Sequence, residues 1–183
     1  MDFNFIAERV KLSLTSPKEL VKKAVKDDFN DVLVYFLVIA LPTAILLPVF
    51  GGSLLMELFG TGTGYSAMLL SMVALYVVTL LNLFIGGAWL HLWVYVLGGK
   101  QGIKQTWKAM IYASTPSLLL GWIPFINIFT GLWSFILTLL FIGDMQKIGW
   151  PKTLLAVIIA GIIPALIVFL AMGSLISALM YTI

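Results

Sequence analysis

The chain has 183 residues, 61% of them hydrophobic and 10% charged, with a formal net charge of +3 and a mean hydropathy of +1.08. Globular domains run at about 45–50% apolar and about 25% charged, so these few charges exclude a water-soluble fold and lipid must be the solvent. The absence of cysteine excludes disulfides, thiolate metal sites and cysteine nucleophiles.

Residues 1–31 hold six basic and six acidic side chains and no apolar run of the signal-peptide kind. They are expected to form a cytoplasmic amphipathic segment ahead of a membrane domain over 32–183. Phe3, Ile6, Ala7, Val10 and Leu14 recur at helical spacing, with Glu8, Arg9 and Lys11 elsewhere on the wheel. Ser16-Pro17-Lys18-Glu19 then predicts a helix start, with Ser16 as cap, Pro17 at the first helical position and Glu19 reaching back. The helix that follows sets Leu20, Val21, Ala24 and Val25 against Lys18, Lys22 and Lys26. So short an amphipathic piece must dock on lipid headgroups, on the inner face of the bundle or on another protein. Membrane-surface docking is the expectation, with Leu20 and Val21 buried in the interface and Lys18, Lys22, Lys23 and Lys26 facing anionic lipid or a partner.

Span one is expected over 32–50, with Pro42 and Pro48 inside it or at its end, and Gly60–Gly64 reads as a turn. Span two is an uncharged run from Ala67 to Leu97. At 1.5 Å per residue it makes about 46 Å of helix against a hydrocarbon core of about 30 Å, so it projects from the membrane or bends near Gly86-Gly87. Residues 106–142 admit one span or two. With two, over 106–123 and 126–142, and a fifth over 154–180, all eleven lysines and arginines fall on one side, as the positive-inside bias expects. Five spans follow, with the N-terminus cytoplasmic and the C-terminus on the opposite side. Tyr95, Trp107 and Trp150 then mark the inner boundary, and Tyr65, Trp122 and Tyr181 the outer one.

Several short pieces carry a family likeness. They are Leu14-Thr15-Ser16-Pro17-Lys18-Glu19, the Gly98-Gly99-Lys100 loop, Thr106-Trp107-Lys108-Ala109 and Tyr112-Ala113-Ser114-Thr115-Pro116-Ser117. Ile123-Pro124 and Leu132-Trp133, leading to the 143–152 loop, complete them. In these the chain resembles the Yip domain family, the Ypt/Rab-interacting membrane proteins and their prokaryotic relatives. The resemblance implies a five-span domain with a cytoplasmic N-terminus, and eukaryotic members that bind membrane GTPases and one another without catalysis. The short segment before span one stands where such members carry a long cytoplasmic region. That argues against GTPase binding and for a prokaryotic-type member.

Polar groups inside the spans are few. His91 is the one histidine, and Asn82 lies nearer mid-membrane with Thr79 and Gly86 on its face. Intramembrane polar groups are candidate sites, but an imidazole or amide bonding across helices needs no other role, and His91 is expected to be structural. Asn127, Thr130, Ser134 and Thr138 form a stripe along span four, as a polar path or a packed face. Tyr112, Pro116 and Pro124 belong to the family motifs, and Asp144 can cap a helix end or pair with Lys147. Gly173 and Ser177, four apart in span five, form a small-xxx-small pair suited to helix packing. No catalytic constellation, metal set, cofactor motif or nucleic-acid-binding pattern occurs. The expected fold is therefore an all-α polytopic membrane bundle, working as a non-catalytic adaptor or scaffold in contact with lipids and with other membrane proteins or itself. The alternative is a small transporter or channel subunit with a polar path along spans two and four.

Overall fold

The computed structural model of the chain describes residues 3–51 and 64–181, and the side chains of these apart from 51, 171 and 173–181. The Gly60–Thr63 part of the expected turn lies outside what is described. So do the side-chain surroundings of Gly173 and Ser177, on which the expected helix-packing role depends.

Seven helices and no strand occur among the described residues: α1 (Phe3–Thr15), α2 (Pro17–Ala24), α3 (Phe29–Gly51), α4 (Tyr65–Val96), α5 (Ile103–Leu120), α6 (Ile126–Met145) and α7 (Gly149–Tyr181). Four of them, α3, α4, α6 and α7, are long and apolar enough to cross a membrane. The helix outside that set, α5, is the central one, packed against α1, α3, α4 and α6. Nine of its 18 residues are buried, against six of 32 in α4. A helix wrapped by its neighbours meets little lipid, so its composition is free to be more polar.

Two prolines show how the bundle accommodates broken ladders. Proline has no N–H to offer the carbonyl four residues back. Pro116 therefore frees the carbonyl of Tyr112, and the Ser13 hydroxyl of α1 donates to it at 3.1 Å. Pro164 frees that of Ala160, and the Trp89 indole N–H of α4 donates to it at 2.8 Å. In lipid such carbonyls must be satisfied by neighbouring elements, and here each is.

The C-termini of α4 and α6 close the same way. The N–H of Gly99 bonds to the carbonyl of Val94, and the N–H of Ile148 to that of Gly143, with Gly98 and Lys147 at φ 108° and 57°. These are Schellman caps. Gly98 suits the left-handed position, whereas Gly99 is needed for space: a Cβ there would lie 2.5 Å from Val94 Cγ1 and 3.1 Å from Gln146 Oε1.

The N-terminal helices differ from expectation in three ways. The Ser16 side chain makes no cap bond, its ψ of 60° lying away from the β region that caps use, and Glu19 turns to Lys23 at 3.6 Å. In α1 the inward face is Arg9, Leu12 and Ser13, while Phe3, Ala7 and Leu14 point outward. In α2, Leu20 and Ala24 are fully buried and Val21 nearly so. The apolar stripe is thus spent on the helical bundle, not on a membrane surface.

Candidate functional site

The most polar buried region lies where α1 and α2 meet the bundle. The α2–α3 turn carries Asp27, and Asp28 caps α3 by accepting the Asn30 N–H at 2.8 Å. Asp27 is turned inward, its side chain only 7% exposed beside Arg9 at 9%. Arg9 grips it with two bonds, from Nε to Oδ2 at 2.9 Å and from Nη2 to Oδ1 at 2.7 Å. The Tyr112 hydroxyl of α5 donates to Asp27 Oδ2 at 2.5 Å. Lys108, one turn away on α5, donates to the carbonyls of Val25 and Asp27 at 2.9 and 3.1 Å. Arg9 further donates to Glu8 at 2.7 Å, and Lys23 donates to the other Glu8 oxygen at 2.5 Å.

Both carboxylates of this cluster, Asp27 and Glu8, are ion-paired. The guanidinium lies over the Phe5 ring, 4.6 Å from its centroid, and the bonds to Asp27 push its proton affinity further up. Glu8, at the exposed rim, has its carboxyl held below the usual value by the bond from Lys23. Arg9 and Lys23 are paired with carboxylates and Lys108 is held by two backbone carbonyls, so the arrangement is suited to clasping α1 and α2 onto α5. Tyr35 extends it inward, its ring tilted against that of Tyr112 at 5.2 Å between centroids and its hydroxyl bonded to Thr115 at 2.8 Å.

A second polar knot joins α4, α5, α6 and the 97–102 loop. Gln146, 1% exposed, accepts from the Gln101 N–H at 3.1 Å and donates to the Gly102 carbonyl at 2.9 Å. It also donates to Thr106 Oγ1 at 2.8 Å, which in turn bonds His91 Nδ1 at 2.8 Å. His91 is thereby taken up in a helix-to-helix bond. The loop lysine Lys100 lies over the Tyr95 ring at 3.3 Å.

The other expected residues scatter. Asn82 is exposed on α4, beside a cleft of about 340 Å³ lined from α3, α4 and α5. The α6 stripe contributes nothing to that cleft: Ser134 bonds the Ser117 hydroxyl at 2.8 Å, and Thr130 and Thr138 bond carbonyls of their own helix. Pro124 and Asn127 sit exposed in and after the α5–α6 turn. Asp144 is exposed, and among the described residues no ion pair joins it to Lys147. Lys18, Lys22 and Lys26 are exposed, Lys23 half so. Gly173 and Ser177 fall within the bounds of α7, beyond its described side chains. No set of three His, Cys, Asp or Glu residues able to hold a metal occurs among the described residues.

Arg9, Asp27, Lys108 and Gln146 were not singled out by the sequence. Arg9 had one signal: it stands four residues after Phe5 and three before Leu12, on what proves to be the inward face. Asp27 and Gln146 sit in short polar turns, where a solvated side chain is the ordinary expectation.

Several apolar helices able to cross a bilayer, with a docked polar pair at one end, define a multi-pass integral membrane protein. The family model described as the Yip1 domain matches residues 11–172, and the chain belongs to that family. Comparison with the curated proteins and with the solved structures gives no match.

Proposed function

We propose that this Yip1-domain protein is a non-catalytic membrane adaptor that works through contacts with lipids and other membrane proteins. The observation behind this is the clasp. With Arg9, Leu20 and Val21 turned into the bundle, α2 and the turn after it hold Lys18, Lys22 and Lys26 outward at a fixed place. Lys100 and Lys104, also exposed, extend this basic surface on the five-span reading. It is matched to anionic headgroups and to acidic patches on partner proteins.

In this reading α3 to α7 all cross the membrane and α5 is the fifth span. Its 18 residues give about 27 Å of helix, close to the hydrocarbon thickness, and its burial by neighbours removes the need for an apolar surface. All eleven basic residues then face the cytoplasm. Because the chain has no cysteine, single substitutions test this. Asn127→Cys should react with an impermeant thiol reagent from outside, and Gln101→Cys and Lys147→Cys only after permeabilisation. Labelling of Lys147→Cys from outside would remove α5 from the spans. For the adaptor role, crosslinking and pulldown from native membranes should recover a specific partner that Lys18→Glu, Lys22→Glu and Lys26→Glu together release. Solute flux in proteoliposomes that depends on Asn82 would overturn it.

A further inference from the structure

Asn82 puts an exposed carboxamide midway along α4, a group that lipid does not suit. It lies 17 residues from Tyr65 and 14 from Val96 along α4, about 26 and 21 Å from the two helix ends. That places its amide deep in the hydrocarbon, beyond water and headgroups. The amide is exposed and no described residue bonds to it, unlike the Thr79 hydroxyl one turn away, which donates to the Leu75 carbonyl at 2.8 Å. An amide without partners is costly in such a medium.

The surface around it is shaped for a helix. A cleft of about 340 Å³ between α3, α4 and α5 adjoins Asn82 on one side, a groove for a ridge of a neighbour. A shallow hollow of the α4 surface by Leu81, Ile85 and Gly86 adjoins it on the other. At Gly86 a Cβ would meet only the Asn82 side chain, its Oδ1 3.0 Å away, so the outward side there is open to close backbone approach. Val78 and Ile85, 45% and 67% exposed, supply apolar contact above and below.

We propose that α4 makes a two-fold contact with α4 of a second copy of this chain, the two Asn82 carboxamides bonding to each other across the axis. A carboxamide carries both a donor and an acceptor, so two of them facing each other complete two hydrogen bonds without any other group. Copies inserted with the same topology bring Asn82 to the same depth automatically. A different protein would need a matching polar group at that depth, and an acyl chain would fill the cleft but leave the amide unanswered. The proposal rests on α4 lying in the membrane and not on the adaptor role, so either can fail alone.

Oxidative crosslinking of single-cysteine variants in liposomes at low protein density is the test. Val78→Cys and Ile85→Cys should give disulfide-linked dimers. Leu166→Cys, 53% exposed on α7, should not. Adding Asn82→Leu to Ile85→Cys should weaken dimerisation about three- to thirty-fold, the range for one interhelical polar contact in membranes, while Asn82→Gln keeps it. The leucine is lipid-compatible, and an unchanged melting temperature in detergent will show that the monomer still folds. Equal crosslinking with Asn82→Leu, or crosslinking at Leu166→Cys as strong as at Ile85→Cys, would overturn the contact.

Discussion

The two regions of this molecule most unlike each other are the clasp at α1, α2 and α5 and the outer surfaces of α4 and α7. In the clasp, Arg9, Asp27 and Tyr112 leave water and meet partners of fixed direction from three separate segments. In the spans of α4 and α7 only about a tenth of the most apolar stretch is buried, and the exposed side chains described there are mostly aliphatic and aromatic. Composition alone holds the second region at its depth, and many sequences would do. The first fixes one geometry, because a slipped helix would strand a charge.

The largest test of that contrast is Asp27→Ala. It leaves a buried guanidinium and a tyrosine hydroxyl without their acceptor, which costs about 3–5 kcal/mol when one member of a buried pair is removed. A fall in melting temperature in detergent, with early proteolysis ahead of α3, is the expected result. Ile167→Ala on α7, a site 62% exposed, should change stability by no more than about 0.5 kcal/mol. Equal effects at both positions would erase the distinction.

Next in size is a comparison within α2. Leu20→Ser empties a fully buried site and should unseat the helix, at about 2–5 kcal/mol as for large-to-small changes in a core. The exposed trio Lys18→Gln, Lys22→Gln and Lys26→Gln should leave docking intact. It should instead weaken attraction to anionic vesicles by about 1 kcal/mol per lysine, an effect that high salt imitates. Hydrogen exchange of α1 and α2 reads the first, and vesicle cosedimentation the second.

The smallest effect belongs to the rim. The Glu8 carboxyl is lowered from 4.5 chiefly by the Lys23 bond. A carboxyl depressed in the folded state contributes stability above its unfolded value and loses it as pH falls through the folded one. The α1–α2 contact should therefore loosen only on the acid side of the ordinary carboxylate range. Lys23→Gln should raise the Glu8 titration toward the usual range, with the Arg9 bond still holding it down, followed by the chemical shift of its carboxyl carbon.

Hydropathy was enough to read runs such as 67–97 as apolar helices. Over 106–142 it left one span or two open, and the division rested on where the basic residues fall. The motif residues were enough to place the family. Pro116 and the Gly98-Gly99 pair were visible as motif members, but their reasons needed the fold: a hydroxyl arriving from α1, a side chain arriving from Gln146. The orientation of α1 was hidden because Arg9 reads as a solvated charge until Asp27 is known to lie against it. The bonds of Lys108 were hidden in the same way, since its two carbonyl acceptors belong to the α2–α3 turn, more than 80 residues before it. In each case the deciding partner is remote in sequence, beyond the reach of any local pattern.

The bond from Ser13 to the Tyr112 carbonyl joins residues 99 apart in the chain. Synthesis proceeds at about 5–20 residues per second, so α1 leaves the ribosome roughly 5–20 s before its binding site exists. During that interval Leu12, Leu20 and Val21 lack the α5 and α6 surfaces on which α1 and α2 settle, and a bilayer surface can cover them. The amphipathic character of this segment then acts as a waiting berth, and the clasp becomes a late step of assembly. A chain stalled before Tyr112 would expose its N-terminal helices to protease, and one extended past α5 would hide them.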